Sequence, residues 1–385
     1  MTTQANGRAA GHGVKDLGQI VLVLQGGGAL GAYQVGVYQA LHEAGVEPDW
    51  VIGTSIGAIN AGIIAGSKPG ERMDRLSEFW KRVEHGHFFE SVLPTELSNL
   101  WRNWTTIWGG LPAFFDPNPM AFLGPHATLG PEQAGYYSVD PMRETLADLI
   151  DFDQVNGGTV RLTVGASRVT SSEMVYFDSR DMPLDLRHVM ASGALPPAFP
   201  AVRIDGELYW DGGILSNTPV EVVFDDNPRK DSLVFAVHIW NPHGPEPETI
   251  WEVMNRQKDV QYSSRAAAHI KRQRQLHKMR HIIAELSRML PEDKRRDNRL
   301  ADMASYGCLT RMHVVRLLAP ALDHEDHSKD IDFSANGIRR RREAGYRDTM
   351  ETLEKAPWRA PVDDIEGFIL HEASGGRMVQ TAAAK

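Results

Sequence analysis

The sequence predicts an α/β protein built on a mainly parallel sheet. Three observations carry that prediction. "QIVLVLQ" (19–25) is a continuous apolar run ended by glycines, the pattern of a strand buried on both faces. The order over 19–66 is strand, glycine loop, helix, strand, tight turn, helix, which builds parallel sheets. Further unbroken apolar runs stand at "SLVFAVHIW" (232–240) and "RMHVVRLLA" (311–319).

The elements follow in order. "AYQVGVYQALHEAG" (32–45) spaces apolar residues as a helix does, with Gly45 as its stop. "DWVIGTS" (49–55) reads as a second strand, and "IGAINAGIIAG" (56–66) as a helix of small residues able to lie close to a sheet. Residues 86–135 break the rhythm with prolines, glycines and aromatics, among them Phe88, Phe89, Phe114, Phe115 and Phe122. "DPMRETLADLI" (140–150) is helical. Residues 160–178 form two strands joined by a polar turn, and 186–200 start helical and end at their prolines. "ELYWDGG" (207–213) is a short strand running into a glycine turn. A charged helical stretch over about 250–290 carries Leu276, Met279, Ile283, Leu286 and Leu290 at alternating spacings of three and four. Residues 333–355 form a last helix. The expected organisation is a flexible tail (1–18) and one domain (19–355). An aromatic, lid-like insertion at 86–135 and a helical insertion at 247–307 interrupt that domain. A patternless tail occupies 356–385.

The chain has 385 residues, 42% hydrophobic and 24% charged, the balance of a soluble globular protein. A net charge of -9 argues against nucleic acid as the main partner. One cysteine, Cys308, excludes an intramolecular disulfide and fits a reducing compartment. The first residues lack the apolar core of a secretory signal. Val51–Ala65 is too short and too interrupted to span a membrane. A cytoplasmic protein is expected. Its 15 histidines show no metal-binding spacing, so no metal and no cofactor are expected.

Gly26, Gly28 and Gly31 fit G-x-G-x-x-G, the dinucleotide fingerprint. That site also needs an acid at the end of the second strand. Asp49 precedes the strand, and the strand ends instead in "GTSIG" (53–57). G-x-S-x-G between a strand and a helix is the context of a nucleophile elbow, with Gly53 and Gly57 permitting the tight turn and Ser55 at its tip. The N–H groups of Gly26, Gly27 and Gly28 then suit an oxyanion hole, where one donor is worth about 3–4 kcal/mol. Ser55 needs a base. Residue types leave two options open. One is a histidine, His238 or His243, near the end of a strand. The other is a carboxylate acting alone, Asp211 in "DGG" (211–213), which as plain sequence is an ordinary Asp-Gly turn.

Taken together, the glycine loop, G-T-S-I-G, "ASGALPPAFPAV" (191–202) and D-G-G resemble the patatin-like phospholipase family. The resemblance spans roughly 19–240 and resumes near 313 and at "DFSANGIRRRREAGY". It implies a three-layer α/β/α fold with helices on both faces of the sheet. It also implies Ser55 as nucleophile, Asp211 as general base, and Gly26, Gly27 and Gly28 as the oxyanion hole. The implied substrates are acyl esters of lipids, cleaved without a metal. One position departs from the pattern: Leu30 stands where the family commonly has Arg or Lys, which bears on headgroup preference.

Three of the nine tryptophans, Trp101, Trp104 and Trp108, fall on one helical face. They read as a packing stripe or as a lid that touches lipid. Lys271, Arg272, Arg274, Lys278 and Arg280 flank the apolar stripe of the long helix. That helix caps the domain, pairs with a second copy of the chain, or lies transiently on an anionic membrane surface. "KRR" (294–296) and "RRRR" (339–342) read as solvated helix faces or phosphate contacts.

Overall fold

In the computed structural model, the described residues are 14–84, 115–123, 126, 128–322, 325, 328–363, 366–374 and 377–380. The chain begins with β1 (Gln19–Leu24), whose apolar residues are buried on both sides. Val21 and Val23 enter one core; Ile20, Leu22 and Leu24 enter the other. Then come α1 (Ala32–Glu43), β2 (Trp50–Gly53), α2 (Ile56–Ala65) and α3 (Arg72–Arg82). A two-stranded ribbon, β3 (Asp116–Pro117) with β4 (Tyr137–Ser138), precedes α4 (Asp140–Leu149) and α5 (Phe152–Gly157). Next are β5 (Arg161–Arg168), β6 (Met174–Asp178), α6 (Leu186–Ser192), β7 (Val202–Ile204) and β8 (Glu207–Asp211). The chain continues with α7 (Glu221–Asp225), β9 (Ser232–His238), α8 (Ile250–Met289), α9 (Glu292–Arg295) and α10 (Asn298–Ser305). It closes with β10 (Met312–Leu318), α11 (Ala335–Lys355), β11 (Phe368–Ser374) and β12 (Arg377–Gln380).

The sheet order is β12-β11-β10-β9-β1-β2-β5-β8-β7, with β6 also on β5. From β11 to β5 every neighbouring pair is parallel, and the antiparallel pairs lie at the two ends. The chain runs β1, β2, β5 in one direction and returns on the other side of β1 as β9, β10, β11. The switch point therefore lies between β1 and β9, and ligands in such sheets bind beyond the strand carboxyl ends there. Helices cover both faces. On one side α11 packs on α1, so closely that a Cβ on Gly36 would sit 1.9 Å from the Arg342 carbonyl and one on Gly345 2.1 Å from that of Tyr33. On the other side Phe224 of α7 and Ile270 of α8 join the second core. This is the three-layer α/β/α arrangement.

One expectation is corrected. Residues 356–385 are not a tail throughout: β11 pairs with β10 from Met312↔Phe368 to Arg316↔Glu372. Its sequence, FILHEAS, hides the strand because its polar residues are satisfied only in place. His371 Nε2 meets His313 Nδ1 at 3.0 Å, and Glu372 accepts from Arg316 at 3.0 Å. The long helix α8 docks on the domain, the first of its three readings, but not through most of its apolar stripe. Leu276, Met279 and Leu286 are exposed, while Ile270, Gln273, His277 and His281 are buried. His277 sits edge-on to Phe224 and its Nε2 meets the Thr310 carbonyl at 2.8 Å, so a polar face docks on the sheet. Trp101, Trp104, Trp108 and most of the lid-like 86–135 segment lie outside the described residues. Of that segment, Phe115 is buried against Tyr137 and Phe199. No described helix is long and apolar enough to cross a membrane.

Phe368 is 1% exposed and stacks on Phe224 with ring centroids 5.1 Å apart. Phe368→Ala should lower unfolding stability by about 3–5 kcal/mol in chemical denaturation. No change would mean that this end of the chain adds nothing to the core.

Candidate active site

The site forms where β1, β2 and β8 end together. Gly53 is level with Val164 of β5, and Asp211 is level with Ala166 of the same strand. Two residues beyond Gly53 is Ser55. The register thus brings Ser55 and Asp211 to the same height on opposite sides of β5, although 156 positions of chain separate them (211 minus 55).

The elbow is set by close backbone approach. A Cβ on Gly53 would lie 2.2 Å from the Gly57 carbonyl oxygen, and one on Gly57 2.2 Å from that of Leu24. Neither position admits a side chain. Ser55 takes φ 57°, in the left-handed region that L residues rarely adopt. Its N–H is held by the Ser192 carbonyl and hydroxyl, both at 3.1 Å, and the Ser192 hydroxyl donates in turn to Gly165 at 2.6 Å. The apolar helix α2 starts directly after it, so the positive end of the helix faces the Ser55 side chain.

Asp211 is 2% exposed. Its backbone is anchored on both sides, with its N–H donating to Ala194 at 2.9 Å and its carbonyl accepting from Ser167 at 3.0 Å. Its carboxylate accepts from the Gly213 N–H at 2.7 Å, and the Ser55 hydroxyl lies near enough to favour its charged form. Burial pushes its pKa up to about 7 from the ordinary 3.8, against the smaller downward pull of the Ser55 hydroxyl and the Gly213 N–H. A carboxyl so placed can hold or release a proton near neutrality.

The glycine loop abuts Ser55. A Cβ on Gly26 would lie 2.9 Å from that of Ser55. Here the expected oxyanion hole is narrowed. The Gly26 N–H donates to the Asn217 carbonyl at 3.2 Å and is already engaged. The N–H groups of Gly27 and Gly28 have no partner among the described residues. The Gly26 carbonyl accepts from Asn217 Nδ2 at 2.9 Å and from Trp240 Nε1 at 2.8 Å. Neither Asn217 nor Trp240 stands out in sequence. Asn217 lies shortly after D-G-G in "SNTP", and Trp240 looks like the end of a buried strand.

The other candidates fall away from Ser55. Asp49 accepts from the Ile20 N–H at 2.8 Å, at the opposite end of β1 from the glycine loop, and so ties two strands together. Among the described residues no histidine hydrogen-bonds to Ser55 or Asp211. His238 is buried, which pushes its pKa well below the ordinary value, with Arg316 adding to the effect. His243 is exposed and lines a cavity of about 310 Å³ together with Leu30, Tyr33, Ile239 and Arg256. Leu30 is thus turned to that cavity, which Ser55 does not line. No group of three or more His, Cys, Asp or Glu suited to a metal occurs among the described residues.

Comparison with known proteins supplies the lineage. A family model described as patatin-like phospholipase matches residues 22–224, and a second, described as patatin phospholipase, matches 260–364. An uncharacterized NTE family protein of Mycobacterium bovis is 26% identical over 243 residues, covering 62% of this chain and 55% of its own length. A lysophospholipase of Aspergillus terreus is 27% identical over 259 residues, covering 61% of this chain and 14% of its own. The chain therefore spans about half the length of the first of these relatives, and a small part of the second. Among solved structures, VipD from Legionella pneumophila aligns over 87% of this chain and 67% of its own, with 17% identity and a TM-score of 0.36.

The raised Asp211 pKa has a consequence for stability. Between pH 3.8 and about 7 the folded chain holds a proton that the unfolded chain has released. Stability from this group is therefore complete at acid pH and is lost as pH rises through 7. Asp211→Asn, which stays neutral, should unfold at a higher temperature than wild type at pH 8, with the gap shrinking steadily toward pH 4. A gap independent of pH would show that Asp211 does not titrate in this range.

Proposed function

The chain belongs to the patatin-like phospholipase family, and we propose that it hydrolyses acyl esters of lipids through Ser55 and Asp211. The observation that carries this reading is the placement of the Ser55 hydroxyl beside a carboxylate that is almost wholly buried. In the ionised form, Asp211 takes the hydroxyl proton as Ser55 Oγ bonds to the ester carbonyl carbon. The carbonyl oxygen gains the negative charge and is met by the free N–H groups of Gly27 and Gly28, with Gly26 supplying closeness rather than a donor. Collapse of this intermediate breaks the ester C–O bond. The departing alkoxide takes the proton from Asp211 and leaves as an alcohol. Asp211 then draws a proton from water as its oxygen attacks the acyl-Ser55 carbonyl; collapse breaks the bond to Ser55 Oγ, which takes that proton back from Asp211, and the fatty acid leaves.

No metal enters this scheme, because burial and position make the carboxylate basic enough. The Aspergillus relative is named as a lysophospholipase, which supports a phospholipid or lysophospholipid as substrate here. Leu30 at the cavity wall fits a contact with apolar rather than anionic matter at that point.

Two measurements test the reading. Peptide mapping after fluorophosphonate treatment should place the label on Ser55. Asp211→Asn should slow labelling and ester hydrolysis by about 10³-fold or more, whereas His243→Ala should leave both unchanged. The dependence of kcat/KM on pH should rise through an acid limb near pH 7, the titration of Asp211 in the free enzyme. Label found elsewhere, or a limb near pH 4, would rule out this pairing.

A further inference from the structure

The helical insertion carries neither Ser55 nor Asp211, yet it reaches the loop beside them. Lys258 and Asp259 are consecutive on α8, and Lys329 and Asp330 are consecutive in the segment before α11. Each lysine meets the aspartate of the other segment with both carboxylate oxygens. Lys258 Nζ lies 2.7 and 2.9 Å from Asp330, and Lys329 Nζ lies 2.8 and 2.9 Å from Asp259. The second pair is almost wholly out of water, with side chains 7% and 10% exposed.

The two pairs lead to opposite ends of the glycine loop. The Asp330 carbonyl accepts from the Ala29 N–H at 2.8 Å, and it touches Gly28 so closely that a Cβ there would lie 2.2 Å from that oxygen. Lys329 Nζ stands 5.5 Å from the centre of the Trp240 ring, whose Nε1 donates to the Gly26 carbonyl. Arg341, from the basic run in α11, is buried rather than solvated. It donates to the Lys329 and Asp332 carbonyls, each at 3.1 Å, and so holds the 328–332 segment in shape.

Peptide planarity turns these contacts into aim. A trans peptide fixes the N–H of one residue opposite the carbonyl of the residue before it. Two donors on the Gly26 carbonyl therefore set where the Gly27 N–H points. The Gly27 carbonyl accepts from Leu30 at 3.2 Å, which sets the Gly28 N–H, and the Ala29–Asp330 bond fixes the next plane. Three consecutive glycines would otherwise have wide conformational freedom, and oxyanion donors act best when held in place beforehand.

We propose that the crossed pairs Lys258–Asp330 and Asp259–Lys329, with Trp240, are positioning residues that aim the Gly27 and Gly28 N–H groups. They act through the glycine loop and do not touch substrate. This inference rests on reading those N–H groups as the oxyanion hole.

The test uses Lys258→Met, the charge-exchanged double variant Lys258→Asp with Asp330→Lys, and Trp240→Phe, which keeps a ring but removes the donor. Each is measured in the full chain by steady-state kinetics on a soluble short-chain ester and by hydrogen exchange resolved to residues 25–31. A misaimed donor should lower kcat about 10- to 100-fold with KM within about twofold, and the pH limb near 7 should not move. Exchange over 25–31 should quicken about tenfold or more while the rest of the sheet is unaltered, because the opening is local. The double variant should recover most of kcat. Unchanged exchange over 25–31 in both single variants would overturn the proposal, as would faster exchange spread evenly along the chain. Activity that survives Ser55→Ala would instead overturn the hydrolase reading, and the exchange data would still decide whether these residues fix the loop.

Discussion

A carboxylate with almost no access to water is unfavourable unless something nearby repays its lost hydration, and around Asp211 only the Ser55 hydroxyl and the Gly213 N–H favour the charged form. That shortfall is the source of its basicity. The geometry around it brings a serine close to this carboxylate. Ser55 must stand at the tip of a turn, the turn must press against β1, and the pressing leaves room only for glycine at 53 and 57. The register of β2 and β8 on β5 then does what sequence distance cannot, placing the two side chains at one level. A one-residue slip of β8 would send Asp211 to the other face of the sheet.

The features legible in sequence are those where backbone meets backbone. A position that excludes a Cβ must be glycine, so the elbow and the glycine loop are visible as letters. Buried parallel strands are visible as apolar runs for the same reason of close contact. What the letters hide is which groups are already in use. All three loop glycines look alike in sequence, but the Gly26 N–H is bound to Asn217 and only the next two remain free. Asp211 looks like a turn residue until β8 carries it into the core.

Polar residues that bury themselves by pairing are hidden too. β11 contains His371 and Glu372, which look solvated and find their partners only on β10. The four arginines at 339–342 look like one charged face, yet Arg341 points inward to carbonyls and Arg342 reaches Gln39 of α1. In α8 the buried side is His277, His281 and Gln273, while several of its leucines and methionines face outward. In each case a tertiary partner overrides the hydrophobic pattern. Those partners come from segments far apart in the chain, which is why residues after 240 matter to a site named by motifs before it.

The central claim is that Asp211 is a buried base whose proton affinity is set by desolvation and trimmed by Ser55. The most direct measurement is the titration of the Asp211 carboxyl itself, by infrared difference spectroscopy or carbon NMR, in wild type and in Ser55→Ala. The account predicts a midpoint near pH 7 in wild type and a higher one in Ser55→Ala, where the hydroxyl that favours the charged form is gone. A wild-type midpoint near the ordinary 3.8, or no upward shift on removing the hydroxyl, would contradict it.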